Sequence, residues 1–131
     1  MIQKIDHIGV AVSNLEEALK LYRDTLGLKV DATEDFEGMR IAFIPIGDTE
    51  FELLEPTDPN SALAKFLEKR GEGVQHVALR VDDVEKSLEE LKAKGVRVID
   101  EKPRAGAGGA RIAFFHPKST MGVLLEICQR D

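Results

Sequence analysis

One segment occurs twice in this chain, and that repeat limits the folds open to it more than any other feature. Residues 7–19 and 76–88 each open on a His inside an apolar run, pass through a polar pair and enter a helical pattern. His7 and His76 stand 69 positions apart. Downstream, Arg40-Ile41-Ala42-Phe43 returns 71 positions on as Arg111-Ile112-Ala113-Phe114. Phe51-Glu52-Leu53-Leu54 returns 74 positions on as Leu125-Glu126-Ile127-Cys128. Three correspondences in one order, at nearly one offset, describe two copies of a module. Each copy supplies one His from its first strand and one Glu from its last.

The local signals spell out a β-α-β-β-β module. A strand is predicted over 2–12, with His7 inside it. Asn14 is a suitable N-cap, Glu17 stands where a capping-box acid belongs, and Leu15, Ala18, Leu19, Tyr22 and Leu26 recur at helical spacing before Gly27. Strands follow over 28–32, 40–44 and 49–54, with polar turns at 34–38 and 45–48. Alternation in the last strand puts Glu50 and Glu52 on one face, Phe51 and Leu53 on the other. The Pro-rich stretch 55–60 is the module junction, and Ser61 caps a short helix over 62–70 carrying Leu63, Phe66 and Leu67 on one face.

The second copy repeats the order. It has a strand over 74–81, a helix capped by Asp82 or Asp83 and stopped at Gly95, and strands over 96–99, 111–115 and 122–128. The Gly-rich connection 104–110 lacks the spacing of a phosphate-binding loop. It is either a plain hairpin loop or a lid over a ligand. The chain is expected to be one domain, 1–131, made of module 1 (1–56), a connecting helix (57–72) and module 2 (73–131).

Composition narrows the partners. A net charge of −6 without a basic run argues against nucleic acid and anionic membrane. No apolar stretch reaches membrane-spanning length. The first residues enter a strand directly, which leaves no room for a signal peptide. The single Cys128 forms no internal disulfide, which suits the cytoplasm.

His7, Glu52, His76 and Glu126 each interrupt a strand that otherwise reads as buried. Taken singly, a strand His is more often hydrogen-bonded in a core, and a lone Glu usually faces water. Burying a carboxylate is costly unless it is paired, protonated or bound to a metal. The duplication shifts the weight: if equivalent modules pair about a pseudo-twofold axis, two imidazoles and two carboxylates surround one point. Such a set suits Co, Mn, Ni, Zn or Mg. In an octahedral ion it leaves two positions for a substrate with two oxygens.

Around these residues the chain resembles the vicinal-oxygen-chelate superfamily, and within it is most similar to the methylmalonyl-CoA epimerases. The stretches that carry this are 5–10, 52–56, 71–76, 80–83, 97–103 with the Gly-rich loop, and 116–123 ahead of Glu126. The resemblance covers the whole chain. It implies an α+β fold in which two tandem βαβββ modules form a cupped mixed sheet around a metal, with His7, Glu52, His76 and Glu126 as ligands. It also implies inversion at C2 of methylmalonyl-CoA through a metal-stabilised enolate; as module equivalents that a pseudo-twofold sets opposite each other, Glu52 and Glu126 are the expected proton-transfer groups. One departure stands out. Some epimerases have Gln at the second ligand position and a separate Glu on the preceding strand, where this chain has Glu52 and Ile41. Either the base is elsewhere, or Glu52 combines the two roles.

For the acyl-CoA substrate, Lys118, Arg104 and Lys65 are candidate phosphate contacts, although surface Lys and Arg are usually just solvated. His116, near a strand end, can touch substrate or simply close a turn. Proteins of this kind resemble homodimers. The rival readings are a glyoxalase I-type lactoylglutathione lyase with the same metal set, and a metal-free small-ligand-binding protein of the same fold. An extradiol dioxygenase would use one carboxylate, so the second Glu argues against it.

Overall fold

The computed structural model describes residues 1–131. Eight strands, β1 (Ile2–Ala11), β2 (Ala32–Phe36), β3 (Met39–Ile46), β4 (Thr49–Pro56), β5 (Gly73–Val81), β6 (Arg104–Ala105), β7 (Arg111–Phe114) and β8 (Leu125–Gln129), form one mixed sheet in the order β2-β3-β4-β1-β5-β8-β7-β6. The chain divides into two compact units, one of His7–Gln75 and one of Met1–Asp6 with His76–Asp131. Strand β1 (Ile2–Ala11) contributes to both. The expected α+β class and the β-α-β-β-β order of each module are borne out.

In the first unit, β1 runs parallel to β4 (Thr49–Pro56), which pairs antiparallel with β3 (Met39–Ile46), and β3 with β2 (Ala32–Phe36). Between β1 and β2 lies α1 (Leu15–Leu19), continued by a π-helical stretch, Lys20–Thr25. Asn14 caps it, its side chain accepting the Glu17 N–H at 3.0 Å. Leu15 and Leu19 pack with Val10, Val12, Ala42, Ile44 and Leu53 on one face of the sheet, and the Tyr22 ring meets Phe51 edge-on. Helix α2 (Ala62–Arg70) follows, with the Ser61 hydroxyl accepting the Ala64 N–H.

The second unit repeats this plan. Strand β5 (Gly73–Val81) runs parallel to β8 (Leu125–Gln129), β8 pairs antiparallel with β7 (Arg111–Phe114), and β7 with the short β6 (Arg104–Ala105). Helix α3 (Val84–Ala93), capped by the Asp83 side chain, buries Val84 and Leu88 against Val81, Ala113, Phe115 and Ile127. In both units the helix covers one sheet face and leaves the other for different side chains.

Some boundaries differ from expectation, and the differences are symmetric. Residues 28–31 and 96–99 form no strands; the latter holds only an isolated bridge, Val98 to Phe115. Leu28, Val30, Val96 and Val98 instead turn their apolar side chains into the helix-covered cores, so hydrophobic alternation there reflects packing without ladder pairing. The predicted turn 34–38 is mostly strand β2. The reversal takes only Glu37 and Gly38, both at positive φ, as a two-residue hairpin requires. Pro45 lies inside β3, beyond the point where β2 stops pairing, so its missing N–H breaks no ladder bond on that side. The π-helical turn adds a residue to the helical period and rotates Leu26 out to solvent, against its expected inward place.

The Gly-rich connection is a packed hairpin. The Gly106 N–H donates to the Ala110 carbonyl, and Ala107–Gly109 form a 3-10 turn. A Cβ on Gly106 would stand 2.7 Å from Ile112 Cγ2. Gly106→Ala is therefore expected to cost about 1–3 kcal/mol by overpacking. Urea denaturation should also show that Gly106→Ala combined with Ile112→Ala costs less than the two single changes added together.

Candidate metal centre

Four buried side chains stand on the sheet faces that the helices leave uncovered. His7 is 4 % exposed, Glu52 3 %, His76 6 % and Glu126 2 %. In the first unit Gly9 pairs with Glu52 and Phe43 pairs with Glu52 from the other side. In the second, Ala78 pairs with Glu126 and Phe114 pairs with Glu126 from the other side. Alternate strand residues share a face, so the His two places before the small residue lies on the same face as the Glu. The duplication in the sequence is thus a duplication of register: His, small residue, Glu and Phe occupy the same lattice positions twice.

Within each unit the His and Glu meet. His7 Nδ1 is 3.4 Å from Glu52 Oε2, and His76 Nε2 is 3.5 Å from Glu126 Oε1. Both separations exceed the 2.7–3.2 Å of a well-formed N–H···O bond. Two donors each about 2.1 Å from one ion, at tetrahedral or octahedral angles, stand about 3.0–3.4 Å apart. Imidazole nitrogen and carboxylate oxygen, buried side by side, are the donors a divalent ion of intermediate hardness takes. The donor set fits a divalent metal.

The surroundings of the pairs differ. Ile41 and Phe43 line the first unit's face beside Glu52, both buried. Ile41 carries no group able to move a proton. In the second unit the Phe114 ring meets His76 edge-on at 5.5 Å, and the Arg104 guanidinium lies 5.4 Å from the same ring centroid. Asp100 fixes this arrangement: Oδ1 accepts Arg104 Nε at 3.0 Å, and Oδ2 accepts the Phe114 N–H at 2.8 Å. Arg104 pairs with Ile112, which puts it on the face of Phe114 and Glu126.

The other candidates stand on helix α2 and in the turn after β7. Lys65 is exposed on α2. Lys118 is exposed in the 3-10 turn Pro117–Ser119, whose N-cap is His116. The His116 Nδ1 accepts the Lys118 N–H at 3.1 Å, which is the turn-closing role. Hydrophobic periodicity does not reveal the ionic cluster of Asp6, Arg80 and Arg130. The available signal is that Arg80 interrupts an apolar strand just as Glu126 does.

Comparison with known proteins agrees with this geometry. Residues 6–114 match the family model described as the glyoxalase/bleomycin resistance protein/dioxygenase superfamily. An ethylmalonyl-CoA/methylmalonyl-CoA epimerase of Cereibacter sphaeroides is 38 % identical over 98 % of this chain and 99 % of its own. A mitochondrial methylmalonyl-CoA epimerase of Dictyostelium discoideum is 36 % identical over 96 % of this chain and 78 % of its own. A solved structure of a methylmalonyl-CoA epimerase in complex with methylmalonyl-CoA and ammonium superposes with a TM-score of 0.95. It is 41 % identical and covers 98 % of this chain and 95 % of that one.

Proposed function

The chain belongs to the glyoxalase/bleomycin resistance protein/dioxygenase superfamily, and from that premise we propose that it is a methylmalonyl-CoA epimerase. His7, Glu52, His76 and Glu126 would hold one divalent ion. The observation that carries this reading is the repeated register, which gives each unit a buried imidazole beside a buried carboxylate. The relatives at 36–41 % identity point to the same substrate.

When bound, a divalent ion supplies Lewis acidity that lowers the cost of carbanion character next to a thioester. The remaining chemistry belongs to side chains. Inversion at C2 requires a proton taken from one face of the carbon and one delivered to the other. Glu52 and Glu126 are repeat equivalents, so a pseudo-twofold arrangement gives each carboxylate one face. Ile41 leaves Glu52 as the acid of the first unit for this task. Phe43 and Phe114, beside the two carboxylates, shield them from water and favour proton exchange with substrate over exchange with solvent. Arg104, held by Asp100 over Phe114, is the first choice for an anionic part of coenzyme A, ahead of Lys118, Lys65 and His116.

The reading includes a cytoplasmic homodimer. Cys128, buried and in no disulfide, suits a reducing compartment. The identity of the ion is left among Co, Mn, Ni, Zn and Mg. The test is one sample, purified without chelator, measured for metal content and for epimerase and lactoylglutathione lyase activity. About one ion per chain with epimerase turnover is the expected result. Lyase turnover alone, or metal-free protein with full epimerase activity, would refute the proposal.

A further inference from the structure

Strand β6 begins at Arg104, level with Ile112, so Phe114, two places further along β7, has no β6 partner. Residues 99 and 100 serve its backbone instead. The N–H groups of Ile99 and Asp100 donate to the Phe114 carbonyl at 2.9 and 3.3 Å, and Asp100 Oδ2 accepts the Phe114 N–H at 2.8 Å. The other oxygen, Oδ1, accepts Arg104 Nε at 3.0 Å. One carboxylate, its side chain 15 % exposed, thus fixes both the peptide of Phe114 and the guanidinium that lies over the Phe114 ring.

Phe114 links this arrangement to the two donors of the same unit. It is the register partner of Glu126, and its ring meets the His76 imidazole at 82° with centroids 5.5 Å apart. A histidine that ligates an ion must aim one nitrogen at it, and an imidazole on a strand turns about two side-chain bonds. Groups behind a ligand fix that aim, and changing them costs about 10–100-fold in metal affinity. A ring packed at right angles restricts the imidazole, and a planar cation over that ring restricts the ring in turn.

We propose that Asp100 and Arg104 are positioning residues for His76 as a metal ligand, acting through the Phe114 ring. Asp100 sets the guanidinium, the guanidinium holds the ring, and the ring sets the imidazole beside Glu126. This inference rests on the reading above that His76 and Glu126 take part in holding a divalent ion.

The test is cobalt titration of the metal-free full-length chain, followed by visible absorption. No thioester is present, so contacts of Arg104 with coenzyme A do not enter. Arg104→Gln, at a side chain 43 % exposed, is expected to weaken cobalt binding about tenfold and to shift the absorption bands. Loss of a positive charge by itself favours a cation, so weaker binding reports position and not charge. Asp100→Asn keeps an oxygen able to accept the Phe114 N–H but presents an NH2 group, which cannot accept Arg104 Nε, if that oxygen stays in place. It is expected to match Arg104→Gln. The double variant should bind no more weakly than either single one, and Arg104→Gln should add nothing once Phe114 is replaced by Leu. Arg104→Gln protein with wild-type affinity and bands, or a loss of the same size on the Phe114→Leu background, overturns the inference and leaves the metal reading intact. Wild-type protein that takes up no cobalt overturns both.

Discussion

Glu126→Gln is expected to lower the epimerisation rate about 10²- to 10⁴-fold, the range that positioned proton transfer contributes. Glu52→Gln is expected to do the same, yet the two variants should differ in what they retain. If each carboxylate serves one face of C2, the variant lacking Glu126 still removes the proton that faces Glu52. Given the two C2 epimers separately in deuterium oxide, each variant should exchange the C2 hydrogen of one epimer and not of the other. The preferences of the two variants should be opposite. An amide oxygen remains a neutral donor to a cation, so metal content should fall less than turnover does. Wild-type exchange of both epimers by Glu52→Gln would remove Glu52 from the proton-transfer role. The same outcome would return attention to the Ile41 departure, since the acid would then lie on another element.

The repeat makes most of the candidate site legible in the sequence. Glu126 inside 123–128 and His76 inside 74–81 are conspicuous because burial of either is costly. Finding the same violation 69 and 74 residues earlier turns two oddities into a pattern. The pattern fixes which positions are equivalent, and the strand register confirms the equivalence to the residue, Gly9 with Ala78 and Phe43 with Phe114. Alternation is a weaker guide at strand boundaries. Leu28, Val30, Val96 and Val98 alternate because they pack on a helix-covered core, and period 2 does not say whether a neighbouring backbone takes up the ladder bonds. The acids Glu34 and Asp35 suggest a turn, whereas the true reversal is set by Glu37 and Gly38. The Asp6 cluster was hidden for another reason. Its three members lie up to 124 residues apart, and a buried ion pair carries no local periodicity.

Removing the metal should produce the largest change in stability. Each unit buries a carboxylate beside an imidazole, donors whose burial a bound cation would offset. An ion at about 1,000 times its dissociation constant stabilises a folded chain by about 4 kcal/mol, provided it does not bind the unfolded state. In a domain of this size about 1 kcal/mol moves the melting temperature by roughly 3–5 °C. Chelator treatment is therefore expected to lower the melting temperature by roughly 12–20 °C and to abolish epimerisation. Returning a single divalent ion should restore both together. His76→Ala separates ligation from catalysis, because His76 has no assigned part in proton transfer. That variant should lose most of the metal-dependent stabilisation, and its melting temperature should respond weakly to added ion. Cobalt-substituted wild type and variant should differ in visible absorption, which reports the donor set directly and independently of turnover. A melting temperature indifferent to chelator and to added Co, Mn, Ni, Zn or Mg would mean that the two His–Glu pairs stabilise one another within their own units, leaving no cation for the four side chains to hold.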